Sequence, residues 1–237
     1  MPGRDDPATV VVRWAAVDGV DDACGARLDP RERSRLPSMA QAADRRRFIG
    51  AHLLVRQIVA AAVGCGPREV LVEQRCEECG GPHGRPVVRV PAGAGPHVSV
   101  AHSGGLAIVA MAAAAVGVDL EPDDALPRGL ADVAMSPRER TELAGLDPAD
   151  AAREALVRWV RKEAVLKATG HGLVVDPAGL ELSPGPVATV RAWPGPGAVP
   201  SLTVVDVSAV PGHLVAVALV GDRAPSVDAR CVSLDLR

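Results

Sequence analysis

The sequence predicts an α+β protein made of two pseudo-symmetric α+β subdomains, with the functional site in the cleft between them. Three observations lead there. The tetrapeptide Pro-Arg-Glu-Arg occurs at 30–33 and again at 137–140, 107 residues apart. Each copy follows an N-cap candidate, Asp29 or Ser136, and carries Pro at the first helical position and Glu at the third, the composition of a capping-box helix start. The same order of patterns also surrounds both copies, which is harder to obtain by chance than a four-residue match. The boundary falls near residue 115, giving an N-terminal lobe 1–115 and a C-terminal lobe 116–237. With no long flexible linker between them, the lobes should pack directly.

In chain order, Thr9–Ala16 is rich in β-formers and reads as the first strand. The capped start at Pro30 follows, then a helical stretch from Gln41 to Val63 that stops at Gly64 and Gly66. Short strands are expected around Glu69–Gln74 and Val87–Val90. Val98–Val100 then turns through His102-Ser103-Gly104-Gly105 into Leu106–Ala112. The second half repeats this plan: a strand at Val116–Glu121, the capped start at Pro137, a helix from Pro148 to Thr169 stopped by Gly170 and Gly172, and short strands at Leu180–Leu182 and Val187–Ala192. A hairpin from Leu202–Val207 through Pro211-Gly212 into Leu214–Val220 closes it. Residues 223–237 read as a tail with a short strand.

Composition narrows the function. Forty-eight per cent hydrophobic residues over 237 positions supply a sizeable core, yet aromatics are only 2% and Tyr is absent, so base-stacking platforms for single-stranded nucleic acid are missing. A net charge of −3 gives no global reason to expect a nucleic-acid or anionic-membrane partner, so any anion site must be local. No apolar run is long enough to span a bilayer and no signal-peptide pattern opens the chain, which points to a cytoplasmic protein. Five cysteines, an odd number, read as reduced thiols. The 24 glycines and 21 prolines punctuate loops without reaching the roughly 25–30% that marks disorder.

The residues that could carry chemistry cluster in the second half. In a strand, Asp119 and Glu121 share one face about 6–7 Å apart. Two carboxylates side by side suit a hard cation such as Mg²⁺ shared with substrate phosphates, or simply form the polar face of a strand end. Trp159, Glu163 and Lys167 recur every four residues and form one ridge of a helix: an aromatic anchor, a carboxylate and an ammonium. Glu163 is the candidate third metal ligand, or else half of an ordinary i,i+4 ion pair with Lys167. The chain's only two lysines are Lys162 and Lys167. Where arginine serves everywhere else, a compact ammonium suggests contact with a phosphate oxygen or a movable proton. His102 and Ser103 sit in a predicted turn, and Arg45–Arg47 with Arg56 line the first helix as a solvated face or an anion patch. Cys76, Cys79 and His83 make one C-x₂-C with a nearby His, open between a zinc site lacking a fourth ligand and a thiol-containing loop.

Together these motifs resemble the 4′-phosphopantetheinyl transferases of the two-lobed, surfactin-synthetase-activating type. Val-Gly-Val-Asp119-Leu-Glu121 resembles their Gly-Ile-Asp-Ile-Glu metal motif. Trp159-Val-Arg-Lys162-Glu163-Ala-Val-Leu-Lys167 is similar to their Trp-x-x-Lys-Glu-x-x-x-Lys signature, followed by Gly-x-Gly. Val98-Ser-Val-Ala-His102-Ser103 resembles Phe-Asn-Ile-Ser-His-Ser, and His83-Gly84-Arg85-Pro86 resembles Gly-Lys-Pro. Two positions depart: Ala101 stands where many relatives have Ser, removing one possible phosphate hydrogen bond, and Arg85 replaces Lys, keeping charge with different geometry.

The resemblance implies transfer of 4′-phosphopantetheine from coenzyme A to a serine of an acyl or peptidyl carrier protein, by a monomer active in natural-product biosynthesis. It implies Mg²⁺ on Asp119, Glu121 and Glu163, with Glu163 ligand, base or both, and Lys167 neutralising charge on the leaving group. Arg47, Arg85, His102, Ser103 and Lys167 would bind coenzyme A phosphates, with Lys162 a further candidate. The Pro122–Met135 segment is expected to contact the carrier. The alternatives are a coenzyme A or nucleotide-binding module without turnover, and a small metal-binding interaction protein built on the Cys76/Cys79 loop. A shift of 107 places Arg56 opposite Glu163 and Ala60 opposite Lys167, so the first lobe's helix should carry neither active residue.

Overall fold

Apolar strands that alternate inward and outward, and helices with one apolar stripe, must each bury a face against a neighbour. The computed structural model, which describes residues 8–75, 80–82, 84–124 and 129–236, does this in four layers. The chain begins with strand β1 (Thr9–Ala16), the one-turn helix α1 (Pro30–Arg33) and the long helix α2 (Ala42–Val63). A small antiparallel sheet of β2 (Leu71–Gln74), β3 (Pro86–Val90) and β4 (Gly93–Ala94) follows, then the hairpin β5 (His97–Ser103) and β6 (Leu106–Ala112). The second half runs β7 (Val116–Pro122), α3 (Leu130–Ala134), α4 (Pro137–Ala144) and α5 (Pro148–Thr169). It ends with β8 (Glu181–Leu182), β9 (Val187–Ala192), β10 (Leu202–Asp206), β11 (His213–Val220) and β12 (Ser226–Cys231).

Two main sheets form, one ordered β12-β1-β6-β5 and the other β7-β11-β10-β9-β8. Helix α2 covers the outer face of the first through Phe48, Leu54, Ile58 and Val59, and α5 covers the second through Val160, Ala164, Val165 and Ala168. Between the sheets lies an apolar layer of Val10, Val12, Trp14, Ile108, Val118, Leu120 and Val217. What the sequence suggested as a cleft between lobes is therefore mostly a closed hydrophobic interface. At the junction, edge strands β5 and β7 meet through a side chain: buried Ser99 accepts a hydrogen bond from the Val118 amide at 3.0 Å. That contact satisfies an edge amide that no strand partner reaches.

Both capping boxes form. Asp29 accepts from the Arg31 and Glu32 amides while Glu32 reaches back to the Asp29 amide, and Ser136 and Glu139 exchange the same pair of bonds. Both long helices end on glycines in the left-handed region, Gly64 at φ 79° and Gly170 at φ 81°, where a side chain would be strained. The two helices are 22 residues each and their ends stand 106 residues apart, not 107. The register correction puts Gln57 opposite Glu163, Ala61 opposite Lys167, and Arg56 opposite Lys162. By that register too the first helix carries neither a carboxylate nor an ammonium at those places.

Three further differences matter. Residues 226–231 are not a tail of the second unit: β12 pairs in parallel with β1, and Val232, Leu234 and Leu236 pack under α2, because β1 would otherwise present an unpaired edge. The division at 115/116 therefore leaves the last stretch of the expected C-terminal lobe on the N-terminal sheet. Helix α3 arises inside the Pro122–Met135 segment, which carries no helical period long enough to announce five residues. His102 and Ser103 are not at a turn tip: they are the last residues of β5, paired with Ala107 and Leu106, and the turn is Gly104-Gly105, with Gly104 at φ 55°. No described helix is long and apolar enough to cross a membrane.

Candidate functional site

The site is built where β7 passes under the C-terminal half of α5. Gly117, Asp119 and Glu121 alternate onto the face toward α5, while Val118 and Leu120 turn into the layer between sheets. Gly117 sets the spacing: a Cβ there would lie 1.8 Å from the Ala164 carbonyl oxygen and 2.6 Å from the Ala168 nitrogen. Only a residue without a side chain lets the helix lie this close, and the closeness lets the ridge on α5 reach the strand's carboxylates. Lys167 Nζ donates to Asp119 Oδ1 at 2.6 Å. Trp159 anchors the other end of the ridge between the cores formed by α5 with the second sheet and by α3, α4 and α5.

The electrostatics are dominated by burial of carboxylates. Asp119 is only 6% exposed, and its Oδ2 has no hydrogen-bond partner; Glu163 Oε1 is likewise buried and unpartnered. Burial raises the pKa of Asp119 against the opposing pull of Lys167. Burial raises Glu121 too, opposed by the hydrogen bond that Ser103 Oγ donates to its Oε2 at 2.8 Å. Glu163 is pushed up to about 7, first by burial and then by the nearby charges of Asp119 and Glu121, with Lys167 pulling the other way. Three carboxylates that destabilise one another, two with orphaned oxygens, form a donor set suited to a hard cation. Among the described residues no three ligand-type side chains are already gathered tightly about one point, and the Lys167 ammonium is the positive charge that Asp119 holds.

Around this centre stand the expected anion binders. His102 is solvent-exposed, yet enough protein surrounds it that desolvation, followed by the charges of Lys167 and Arg47, holds its pKa below the usual value. Arg47, on the second turn of α2, pairs with Asp44 at 2.5 Å. Arg85 reaches the end of α5, donating to the Ala168 carbonyl at 3.2 Å. A cavity of about 850 Å³ runs between the β2–β3 sheet, β5 and the end of α5, lined by Arg75, Arg85, Arg89, Lys167, His171 and Leu173 among others. Arg75, Arg89 and His171 were not singled out from the sequence. Arginines in an arginine-rich chain carry no individual signal until a fold places them.

Lys162 is the candidate that the structure removes from this site. It is fully buried and donates to Glu139 Oε2 at 2.6 Å, the Ala134 carbonyl at 2.8 Å and the Pro177 carbonyl at 2.9 Å, which uses all three of its protons. One residue along a helix is a rotation of about 100°, so the neighbour of Glu163 looks elsewhere. Asp119, Glu121, Glu163, Lys167, Ser103, His102 and Arg47 come together; Arg85 joins them through the cavity. Cys76, Cys79 and His83 lie outside the described residues.

Comparison with known proteins gives partial likenesses. Residues 115–208 match the family model described as the 4′-phosphopantetheinyl transferase superfamily, a segment that holds β7, α5 and every carboxylate of the site. A curated protein of Synechocystis, provisionally named a 4′-phosphopantetheinyl transferase, is 29% identical over 151 residues, covering 62% of this chain. The chain in turn spans 58% of that relative's length. Among solved structures, the holo-[acyl-carrier-protein] synthase of Thermotoga maritima aligns over 46% of this chain and 64% of its own, at 21% identity and a TM-score of 0.36, a likeness too partial to compare architectures. The family-model match is confined to residues 115–208.

Proposed function

We propose that this protein transfers the 4′-phosphopantetheine arm of coenzyme A to a serine of an acyl or peptidyl carrier protein, in the two-lobed manner, with Mg²⁺. The observation that carries the reading is the pair of buried, unpartnered oxygens on Asp119 and Glu163, set beside Glu121 and Lys167, with Lys167 also lining the arginine-bearing cavity. The superfamily match over 115–208 supports the same reaction class.

In this reading the nucleophile arrives on the partner. In the proposed reaction the carrier serine oxygen forms a bond to the phosphorus that bears pantetheine. The bridging P–O bond of the pyrophosphate breaks, and adenosine 3′,5′-bisphosphate leaves with the electron pair. Such transfers depend on positioning and charge neutralisation more than on covalent help. Glu163, with its pKa raised to about 7, is poised to take the serine proton. Lys167 lies one turn away to neutralise charge on the departing oxygen. Arg47, Arg85, His102 and Ser103 would hold the phosphates. Asp119, Glu121 and Glu163 would hold the metal ion, which when bound supplies Lewis-acid neutralisation of the pyrophosphate.

The test is incubation with coenzyme A, Mg²⁺ and several apo carrier domains, followed by intact mass of the carrier. The expected result is a phosphopantetheine mass gain on at least one; no gain on any carrier class sinks the reading.

A further inference from the structure

Lys162 sits beside Glu163 in sequence but joins three other pieces of chain. Its acceptors are the end of α3 (Ala134), the first turn of α4 (Glu139) and the turn leading into β8 (Pro177). The first two belong to the segment that leaves the carboxylate strand β7 after Glu121. Glu139 Oε2 also accepts from the Ser136 amide at 2.8 Å, so one carboxylate oxygen ties the α4 cap and the Lys162 ammonium together. Helix α3 has five residues, far too few to hold a helical shape unaided, and it is held by Leu130, Ala134 and Met135 packing against Leu156. Apolar packing alone fixes position loosely. The ammonium adds direction, because each proton must point at one acceptor.

A fully buried lysine is an expensive way to fill a hole, and burial lowers its pKa against the pull of Glu139. In general, replacing a buried ion pair by apolar side chains of similar volume is often neutral or stabilising. What the pair adds is a set distance between residues 129–136 and the next residue on α5, Glu163. We infer that Lys162 is a positioning residue: it holds the segment emerging from β7 in register with α5, and thereby sets how a carrier domain is presented to Glu163. This rests on the transferase reading for its substrate, while the clamp itself is a property of the apo fold.

The test replaces both charges at once, Lys162→Met with Glu139→Leu, which leaves no unpaired buried ion. Initial rates are measured with coenzyme A and apo carrier varied separately. The expected result is a rise of about tenfold or more in the KM for carrier, with kcat and the KM for coenzyme A within about twofold, the pattern of lost binding shared by ground and transition states. An unchanged carrier KM overturns the inference, leaving the pair as a stabilising contact only; a raised KM for coenzyme A overturns it in favour of phosphate binding. Hydrogen exchange of amides 129–135, leaving out Ser136 because Glu139→Leu removes its acceptor directly, supplies a readout independent of turnover. Faster exchange there with an unchanged Tm supports the clamp, and unchanged exchange overturns it. If the native protein modifies no carrier, the transferase reading fails while the exchange measurement still decides the clamp.

Discussion

Helices α2 and α5 are equal in length and end alike, and each uses one buried cation to grip the capped helix that precedes it. In the first unit Arg56 bridges both oxygens of Glu32 at 2.8 and 2.5 Å, with His52 against the same carboxylate at 2.5 Å. In the second, Lys162 holds Glu139. Burial alone would raise the pKa of Glu32, but the hydrogen bonds from His52 and Arg56 outweigh it and bring the group to about 2. The two grips are structurally equivalent and chemically unlike, a planar fork in one case and three single bonds in the other.

One residue further on, the units part company. Gln57 stands where Glu163 does, and its amide clamps the returning chain end: Nε2 donates to the Ser233 carbonyl at 2.9 Å and Oε1 accepts from the Asp235 amide at 3.0 Å. By the same register Arg13 stands where Asp119 does and is paired with Asp228 of β12 at 2.8 Å, while Ala15 stands where Glu121 does. In the first unit the equivalent ground is thus occupied by the chain's own last residues. In the second it is left with unpartnered carboxylate oxygens. The comparison teaches that two helices capped and ended alike differ where it matters: one has its neighbouring polar groups satisfied by residues 228–235, and the other faces carboxylate oxygens without partners.

Substitutions at the paired positions probe that contrast. The largest effect is expected from Glu163→Gln, a loss of roughly 10²–10⁴ in the rate of carrier modification by intact mass, with circular dichroism unchanged. Gln57→Glu in the other unit should leave that rate within about twofold; a comparable loss there would break the distinction between the units. Lys167→Ala should lower kcat by about 10²–10³ if the ammonium acts on developing charge. Breaking the buried grip with Arg56→Met, which leaves Glu32 only His52 and the Asp29 amide, should cost about 2–4 kcal/mol in urea unfolding. Gly117→Ala should cost about 1–3 kcal/mol by forcing α5 off β7, and should lower activity together with stability.

The last prediction concerns pH. Because folding raises the pKa of Glu163 from 4.5 to about 7, the folded protein binds this proton more tightly than the unfolded chain does. Its burial is therefore without penalty below about pH 4.5, and the destabilisation grows through pH 4.5–7 and is complete above 7. In metal-free buffer Glu163→Gln should raise the Tm at pH 8 and leave it nearly unchanged at pH 4. Equal shifts at both pH values would show that Glu163 is not strained in the apo fold.

Much was determined by the sequence itself. The capping boxes at Asp29 and Ser136, the glycine stops at 64 and 170, and the strand carrying Asp119 and Glu121 all form within a residue or two of where the chain predicts them. Each depends on groups a few residues apart, whose hydrogen bonds and φ preferences act without help from the rest of the fold. The ridge Trp159–Glu163–Lys167 was legible for the same reason, since helical periodicity is a local rule. What only the tertiary structure decided is where each face looks. Lys162 and Glu163 are neighbours with similar promise in sequence, and packing alone sends one into a closed ion pair and the other to unpartnered carboxylates. The return of residues 226–236 to β1, the cavity arginines, and the approach of α5 over Gly117 belong to the same class. They depend on contacts between residues far apart in the chain, where free energy is settled by which surfaces are left to be buried together.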